Sequence, residues 1–459
     1  MTDPRLDPRI ALARGVAGVL RLGGRGATSL PGRLLMRLDR GALARLSGRL
    51  PQGSAVISAT NGKTTTAAMA ASILTGAGVR LVHNRAGANM AGGVASALLE
   101  ALRRGGMTGE LGLFEVDEFW LEQVVGELAP RALVLSNLFR DQLDRYGELE
   151  TIADRWVQVV EGAPADTALA LNADDPLIAD LGRSRSGVLY FGVEDPTVAL
   201  PGLEHASDSK HCRRCGTPYR YEAVYLGHLG VYRCPNCGAE RPQPTLAAER
   251  VELRGLRGAR FDLRHGQHRA AVELPLPGLY NVYNALSATA LALSLGRSLA
   301  EAAAGLERVK PAFGRAETVM IGERRLAILL VKNPAGANEV ARTLTLEAGE
   351  HDLLGILNDK VADGRDVSWI WDADFEVLAP RIRRATCTGT RAAELGLRLK
   401  YAGVPPARIR VEPALDAALD AALAGLPDGR PLYAVPTYTA MLSLRELLAA
   451  RGQVRDSFA

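Results

Sequence analysis

The chain has 459 residues, of which 47% are apolar and 23% are charged, and its net charge is +4. This composition is typical of a globular protein with material for two or three domains, each with its own core. Because no stretch reaches about 18 uninterrupted apolar residues and the N-terminus lacks the apolar core of a signal peptide, we expect no membrane span and a cytoplasmic location.

The first fifty residues form a basic segment, with ten arginines against three aspartates. Such an excess of positive charge could attract anionic lipid head groups, nucleic acid or a phosphorylated substrate. A solvated basic face packed on the rest of the protein is the alternative interpretation. We assign residues 1–50 to a basic N-terminal segment, which would place the protein at the inner face of the membrane if it binds lipid.

A phosphate-binding loop is predicted in residues 57–66, which read ISATNGKTTT. The short apolar run SAVIS before it indicates a strand, and residues 64–78 indicate a helix that ends at Gly76 and Gly78. Ala59 stands where such loops usually carry glycine, and a methyl group there limits how tightly the turn can close. An incidental Gly-Lys-Thr loop is the alternative interpretation.

The residue types of this loop suit a nucleoside triphosphate. Backbone amides can bind phosphate oxygens, the Lys63 ammonium can span them, and the Thr64 hydroxyl can help to hold magnesium at a helix N-terminus. Lys63 is one of only six lysines in the chain. The predicted nucleotide-binding residues of the loop are Thr60, Asn61, Gly62, Lys63, Thr64 and Thr65.

Apolar runs that end in polar residues continue beyond this loop. They lie at 111–118, 131–137, 167–175 and 188–193, and helical stretches separate them. The pattern predicts a doubly wound α/β domain that binds ligands at the carboxyl ends of its parallel strands. Glu115, at the end of LGLFEVDE, is therefore a candidate magnesium ligand. We expect Asp117 and Glu118 to be solvated loop acids.

The composition changes to Cys, Tyr, Gly and Arg at residues 205–244, which indicates an insertion. Alternating residues at 249–278 then predict antiparallel strands, and residues 281–296 predict a helix. We place the first α/β domain at 51–308, with the insertion inside it. Apolar runs at 325–331, 351–359 and 432–437 predict a second α/β domain at 309–459.

Four cysteines of the insertion form two CxxC pairs with eighteen residues between them. Two such turns can present four thiolates to one zinc ion at about 2.3 Å, and the glycine after each pair permits a tight turn. With four ligands and no open position, the site is expected to be structural. The predicted zinc ligands are Cys212, Cys215, Cys234 and Cys237.

Six motifs in one order resemble the Mur ligase superfamily, whose members use ATP to activate a carboxylate as an acyl phosphate for attack by an amine. They are ATNGKTTT, FEVDE, SNLFRDQLDRYGE, LNADDP, GLYNVYNALSA and FGRAE. The resemblance implies that the loop binds ATP and that Glu115 binds magnesium. It also implies that Asn281 and Asn284 lie near adenine and that Arg315 reaches the phosphates.

The chain departs from the amino-acid-adding Mur ligases in four places. Only about fifty residues precede the loop, where those enzymes have a domain for a uridine nucleotide. Gln142 replaces the usual histidine, no lysine lies between Arg145 and Gly162, and the aspartate expected before KNP is absent. The ATP chemistry of the superfamily therefore carries over, and the usual amino-acid acceptor does not.

The whole chain is more similar to one branch of that superfamily, the MurT subunits of lipid II isoglutaminyl synthases. The similarity lies in GANMAGG at 87–93, in the four-cysteine insertion, and in residues 358–376 and 436–441. It implies ATP-dependent activation of the D-glutamate α-carboxylate in the lipid II stem peptide. Amidation would follow, with ammonia from a GatD-type glutaminase in a heterodimer.

The sequence argues against ammonia release by this chain alone. Cys387, in ATCTG, superficially resembles a nucleophile elbow, but all seven histidines precede it. We interpret Cys387 as a small core residue. The resemblance implies that the C-terminal domain lends an aspartate to the Cys-His pair of the glutaminase. Asp366 is the first candidate and Asp363 the second; both lie in the DGRD turn, and the sequence does not decide between them.

Trp369 and Trp371, next to the DGRD turn, are interpreted as interface anchors or as core aromatics. Two other functions remain as alternatives. One is a stand-alone ligase of the folylpolyglutamate synthase type, which the short N-terminus and the missing lysine disfavour. The other is a zinc-ribbon ATPase acting on nucleic acid, although we expect no nucleic acid as partner.

Overall fold

We describe the protein from a computed structural model. The structure describes residues 8–22, 29–84, 88–103, 106–141, 149–205, 207–310 and 315–454. Gln142 and Gly87 lie outside these ranges, as do the side chain of Arg315 and most of the FGRAE motif.

Three helices of the basic segment pack against the first α/β unit: α1 (Pro8–Leu22), α2 (Leu30–Leu38) and α3 (Ala42–Ser47). The contact between α2 and α5 (Ala91–Ala101) is close, since the Gly32 amide donates to Ser96 Oγ at 2.9 Å. A Cβ on Gly32 would lie 2.0 Å from the Gly92 carbonyl oxygen. The basic segment is therefore packed on the rest of the protein, which is one of the two interpretations of its sequence. The solvent side carries Arg9, Arg14, Arg33, Arg37, Arg40 and Arg45, with Leu12, Leu30 and Leu38.

The first α/β unit is built on a nine-stranded sheet in the order β13-β12-β11-β8-β7-β6-β1-β5-β2. The strands from β2 to β11 along this order are parallel, and β11, β12 and β13 pair antiparallel, as the alternation at 249–278 predicted. The strands are β1 (Ser54–Ser58), β2 (Leu81–His83), β5 (Leu111–Glu115), β6 (Ala132–Leu135), β7 (Ala168–Asn172), β8 (Leu189–Val193), β11 (Leu246–Leu253), β12 (Ala259–His265) and β13 (His268–Leu274); a short pair, β3 (Leu102–Arg103) and β4 (Gly106–Met107), stands apart.

Helices cover both faces of this sheet, and a separate buried apolar cluster fills each face. The parallel strands β1, β5 and β6 are buried along their whole length because neither face meets water. The antiparallel strands β11, β12 and β13 also carry exposed residues. Besides α1, α2, α3 and α5, the helices are α4 (Lys63–Gly76), α6 (Leu121–Leu128), α7 (Leu149–Gly162), α8 (Pro176–Leu181), α9 (Leu279–Ser294) and α10 (Leu299–Glu307).

The insertion contains a two-stranded hairpin, β9 (Arg220–Leu226) and β10 (Leu229–Arg233), between β8 and β11. Its turn end joins the core of the first α/β unit, because Leu226 and Leu229 belong to the same buried cluster as the sheet. The four cysteines lie at the opposite end of the hairpin.

The second α/β unit has a six-stranded sheet in the order β14-β15-β19-β16-β17-β18, parallel except for β14. Its elements are β14 (Arg315–Ile321), β15 (Arg324–Leu329), α11 (Pro334–Thr345), β16 (His351–Ile356), β17 (Ile382–Thr388), α12 (Ala392–Tyr401), β18 (Ile409–Val411), α13 (Leu415–Ala424), β19 (Leu432–Pro436) and α14 (Tyr438–Ala450). The doubly wound α/β class predicted for the first unit and the α/β class predicted for the second are confirmed. Among the described residues, no helix is long and apolar enough to cross a membrane.

Candidate functional site

The predicted phosphate loop joins β1 to α4. Its last residue, Gly62, has a φ of 86°, in the left-handed region that favours glycine. A Cβ on Gly62 would lie 1.9 Å from Asn284 Oδ1, so space as well as conformation requires glycine there. Ala59 is buried and has no positive φ. The loop therefore closes with a methyl group at Ala59, because the strained turn falls on Gly62.

Lys63 is held in place by charge and by the loop backbone. Its ammonium donates to Glu118 Oε2 at 2.7 Å and to the Ala59 carbonyl oxygen, and its side chain is buried. Burial opposes the charge, but Glu118 and Asp117 outweigh it and raise the pKa of Lys63. The ammonium is therefore fixed at the loop in its charged form.

The expectation that Asp117 and Glu118 are solvated loop acids is wrong, since both are buried. Burial and the neighbouring Glu118 raise the pKa of Asp117. For Glu118, burial would raise the pKa, but the ion pair with Lys63 lowers it overall. The sequence interpretation missed this pair because the two residues are far apart along the chain.

Asn137, at the end of the RALVLSN run, clamps the loop from one side. Its carbonyl oxygen accepts from the Thr60 amide at 3.0 Å, and its Oδ1 accepts from the Asn61 amide at 2.8 Å. Its Nδ2 in turn donates to the Asn61 carbonyl oxygen at 3.0 Å. The backbone and side chain of Asn137 thus fix two successive loop residues, a role that sequence reasoning did not assign.

The second α/β unit also reaches the loop, through the KNP motif. Lys332 donates to the Thr60 carbonyl oxygen at 3.0 Å and pairs with Asp141. Asn333 donates to Asn61 Oδ1 at 3.0 Å and accepts from Asn61 Nδ2 at 3.4 Å. Sequence reasoning noted only the missing aspartate before this motif, although its lysine and asparagine were the useful signal.

Glu115 ends β5 beside Ile57, next to the loop. Its backbone is fixed by Asn84, which donates to the Glu115 carbonyl oxygen at 2.8 Å and accepts from its amide at 3.0 Å. Its side chain is 1% exposed, and neither carboxylate oxygen has a hydrogen-bond partner among the described residues. A buried carboxylate of this kind fits a magnesium ion, which supplies the missing charge. Thr64, at the start of α4, offers the hydroxyl.

Asn281 and Asn284 lie on the first turns of α9 behind the loop, and both are 3% exposed. Asn284 Oδ1 accepts from Thr66 Oγ1 at 3.2 Å, and its Nδ2 donates to Asn281 Oδ1 at 3.0 Å. Asn281 Nδ2 donates to the Pro277 carbonyl oxygen at 2.7 Å. The two amides therefore support the loop and its helix through hydrogen bonds within the protein.

The four cysteines of the insertion converge, and their sulfur atoms lie within 4.8 Å of one another. Sγ of Cys212 is 3.5 Å from that of Cys237, and Sγ of Cys215 is 3.4 Å from that of Cys234. Four sulfurs around a tetrahedral zinc at about 2.3 Å would be about 3.8 Å apart, so the cluster fits a structural zinc ion.

The two aspartates of the DGRD turn differ in their surroundings. Asp363 is buried and accepts from the Thr439 amide at 2.7 Å and from the Thr439 hydroxyl, at the start of α14. Asp366 is exposed and accepts from the Ser368 amide at 2.8 Å, which lowers its pKa. Only the second carboxylate is accessible to another protein.

An exposed apolar patch lies near this turn. Trp371 is 48% exposed, and its ring centroid is 5.8 Å from that of Tyr401, which is 66% exposed. The Arg398 guanidinium stacks over Trp371 at 5.6 Å. Trp369, by contrast, packs against the core of the second unit. The core interpretation therefore fits Trp369, whereas Trp371 is exposed and stays a predicted interface anchor.

Cys387 lies near the end of β17, fully buried, and burial raises the pKa of its thiol to about 12. Nucleophilic cysteines require a thiolate in an accessible place. The structure therefore agrees with a core role for Cys387.

Two family models match the chain. The Mur ligase middle domain matches residues 57–239, and the MurT ligase C-terminal domain matches residues 330–441. Among solved structures, the pseudomurein peptide ligase type C from Methanothermus fervidus aligns with a TM-score of 0.66 at 22% identity, covering 88% of this chain and 79% of that one. Folylpolyglutamate synthase from Mycobacterium tuberculosis aligns with a TM-score of 0.61 at 18% identity, covering 96% and 98%. These likenesses show the fold.

Sequence similarity to curated proteins is more specific. The chain is 34% identical to the MurT subunit of lipid II isoglutaminyl synthase (glutamine-hydrolyzing) from Streptococcus pneumoniae over 435 residues, which is 94% of each chain. It is 32% identical to the corresponding Staphylococcus aureus subunit, covering 86% of this chain and 87% of that one. The chain belongs to the family of MurT subunits of lipid II isoglutaminyl synthase.

Proposed function

We propose that this chain is the ATP-dependent synthetase subunit of a lipid II isoglutaminyl synthase. It activates the α-carboxylate of D-glutamate in the stem peptide and amidates it to D-isoglutamine. The observation that carries the proposal is the phosphate loop, which holds the charged Lys63 and follows β1. On the neighbouring strand β5, the buried carboxylate of Glu115 has no hydrogen-bond partner among the described residues. Membership of the MurT family supplies the substrate and the amide donor.

In the first step, an oxygen of the glutamate carboxylate attacks the γ-phosphorus of ATP, the bond from the γ-phosphorus to the bridging oxygen breaks, and ADP leaves. Lys63 and the loop amides bind the phosphate oxygens, where charge increases in the transition state. Arg315 is proposed to reach the same oxygens. Glu115 and Thr64 would hold magnesium, which neutralises phosphate charge when bound.

In the second step, ammonia attacks the acyl carbon and forms the carbon–nitrogen bond, the bond from the acyl carbon to the phosphate oxygen breaks, and the nitrogen loses one proton as phosphate leaves. Thr60, Asn61, Gly62 and Thr65 shape the loop in both steps. We propose that Asn281 and Asn284 serve the nucleotide site through the loop, because Asn284 contacts Gly62 and Thr66.

Ammonia is proposed to come from a GatD-type glutaminase in a heterodimer. Asp366 is the residue that we assign to the partner's Cys-His pair, because it is exposed whereas Asp363 is bound to Thr439. A carboxylate in this position orients the imidazole and stabilises its charged form. Trp371 and Tyr401 supply the exposed aromatic area typical of interface anchors.

The four cysteines are proposed to bind one structural zinc ion. The basic helices α1–α3 are proposed to face the inner surface of the membrane, where the lipid-linked substrate resides. Their exposed arginines and leucines suit anionic lipid head groups. Co-sedimentation with anionic vesicles, and its loss at high salt, tests this placement.

The two alternative functions have less support. The relatives that are 32–34% identical over 86–94% of the chain are MurT subunits, which disfavours a stand-alone amino-acid ligase. Zinc ribbons can bind nucleic acid, but this one is joined by its hairpin to an ATPase core. Salt-dependent affinity for DNA or RNA would favour that alternative.

Co-expression with candidate glutaminases, followed by mass analysis of lipid II, tests the proposal. The expected result is the small mass decrease that accompanies replacement of a carboxyl OH by NH2. Lys63→Ala should abolish this change and leave the zinc content intact, because the cysteines lie elsewhere. If the complex with magnesium and lipid II does not convert ATP to ADP, the proposed function is wrong.

A further inference from the structure

The hairpin of the insertion connects two distant sites. Cys215 precedes β9 and Cys234 follows β10, so the cysteine cluster lies at the open end. Gly227 and His228 form the turn at the other end, about 20 Å away for strands of this length. The turn is inside the first α/β unit, where His228 is 0% exposed.

His228 lies between an acid and an aromatic ring. Its Nε2 is 3.4 Å from Asp175 Oδ2, and its ring centroid is 4.7 Å from that of Phe139. Asp175 Oδ2 also accepts from the Leu138 amide at 2.9 Å, and its Oδ1 accepts from the Leu177 amide at the start of α8. Burial opposes a charge on His228, but Asp175 outweighs it and raises its pKa. The imidazole thus fixes one side of residues 138–139.

The opposite side of the same segment holds the phosphate loop. The Phe139 amide donates to Thr60 Oγ1 at 3.1 Å, and Asn137 makes the backbone and side-chain contacts to Thr60 and Asn61 described above. Residues 137–139 therefore lie between His228 and the nucleotide-binding loop. A shift of this segment would move the loop amides.

The hairpin turn is itself held by residues that precede the hairpin in the chain. The Gly227 amide donates to Glu204 Oε2 at 2.5 Å, and Ser207 Oγ donates to the Gly227 carbonyl oxygen at 2.8 Å. The next residue, Asp208, accepts from the Arg140 amide at 2.9 Å, directly after the segment that contacts Thr60. The insertion thus contacts residues 138–140 at two points, through His228 and through Asp208. A surface module that packed loosely on the domain would not need both contacts.

We propose that His228 is a positioning residue for ATP binding: the zinc hairpin, through His228, Asp175 and Phe139, fixes residues 137–139 so that the phosphate loop is preformed. The inference rests on the proposed function only in assigning ATP to this loop. Preformed donors bind phosphate without an ordering cost, so loosening the segment weakens nucleotide binding.

The test compares His228→Phe and His228→Gln in the full-length, zinc-loaded chain with its partner. Phenylalanine retains the ring against Phe139 but removes the polar nitrogen that lies 3.4 Å from Asp175, whereas the glutamine amide can place a nitrogen near the position of Nε2. His268→Gln is the control, since His268 is exposed on the distant β13. Binding of a magnesium-loaded, non-hydrolysable ATP analogue is measured by calorimetry. Hydrogen exchange of residues 57–66 is measured without nucleotide.

For His228→Phe we expect a dissociation constant that is five- to tenfold larger and faster hydrogen exchange in residues 57–66. The zinc content should be unchanged. The KM for ATP should rise by the same factor and kcat should change less than twofold, because the contact acts on binding. His228→Gln should recover most of the affinity. An affinity of His228→Phe within twofold of the unmodified chain, or a glutamine variant no better than phenylalanine, would overturn the inference.

Two further outcomes are decided by the same measurements. If His228→Phe does not fold, Phe139→Leu replaces it in the test. We then expect the ATP analogue to bind at least threefold more weakly. Unchanged binding would contradict the inference. If the unmodified chain does not bind the analogue, the proposed function fails together with the inference. If it binds and the variants behave alike, only the inference fails.

Discussion

Lys63 and Glu118 form a buried ion pair at 2.7 Å, with side-chain exposures of 10% and 8%. The lysine that is proposed to bind phosphate is thus already neutralised by a carboxylate of the same site. A bound triphosphate would compete with Glu118 for the ammonium, so the pair sets the position of Lys63 before nucleotide arrives.

Glu118→Gln should lower the free energy of unfolding by about 2 to 4 kcal/mol, because it leaves Lys63 buried with less compensating charge. Asp117 still compensates part of the Lys63 charge in this variant, so the loss of stability should be smaller than for a lysine with no acid nearby. Urea unfolding at neutral pH measures the change. Saturating magnesium and ATP should restore more stability to this variant than to the unmodified chain; equal stabilisation would contradict the competition between phosphate and Glu118.

Glu115→Gln should have the opposite effect on stability. Its carboxylate is buried without a hydrogen-bond partner among the described residues, so removing the charge should stabilise the magnesium-free protein by about 1 kcal/mol. ATP turnover should fall at least tenfold, since a ligand for the metal is lost. Urea unfolding and ADP release check the two parts. Glu122→Gln, at an exposed acid of α6, is the control and should change neither.

Substitutions of the two aspartates of the DGRD turn should have different effects, one on glutamine-driven activity and one on stability. Asp366→Asn should leave amidation with ammonium salts unchanged and block amidation driven by glutamine, because an asparagine does not stabilise an imidazolium. Asp363→Asn should instead lower the free energy of unfolding by about 1 to 3 kcal/mol, since two hydrogen bonds to Thr439 are weakened. Loss of glutamine-driven activity in a stable Asp363→Asn protein, with Asp366→Asn fully active, would reverse the assignment.

Chelation of zinc should unfold the insertion before the rest of the chain, because the metal closes a site that few apolar contacts support. Hydrogen exchange of residues 205–244 measures the loss, and Cys234→Ser should reproduce it. Cys387→Ala is the matched control, since that cysteine is buried in the second sheet and should leave one zinc per chain. Intact protection of the insertion after chelation would show that the cysteines are not a structural metal site.

Glu339 should make stability depend on pH. Burial raises its pKa to about 7 in spite of Arg342, so the folded state holds a proton that the unfolded state releases near pH 4.5. The residue therefore costs stability as pH rises from about 4.5 to 7, by up to about 3 kcal/mol for this shift. Glu339→Gln should be more stable than the unmodified chain at pH 8 and equal to it at about pH 4, below the pKa of the unfolded state. Exposed Glu350→Gln should follow the unmodified chain at both values.

Much of this structure could be predicted from local sequence signals. Apolar runs located the strands, the Gly-Lys-Thr motif located the phosphate loop before α4, and the CxxC spacing located the cysteine cluster. The Lys63–Glu118 pair could not be predicted, because burial of Glu118 depends on packing between distant segments. The choice between Asp363 and Asp366 could not be predicted either, because the contact of Asp363 with Thr439 depends on where β19 ends.

The reciprocal amide contacts of Asn61 and Asn333 have a mechanical consequence. They join the phosphate loop of the first α/β unit to the start of α11 in the second unit. Lys332 makes a further contact to the loop beside them. A rotation of one sheet away from the other would have to break these bonds and would displace the loop at the same time. The loop that is proposed to bind ATP is therefore coupled to the relative position of the two sheets.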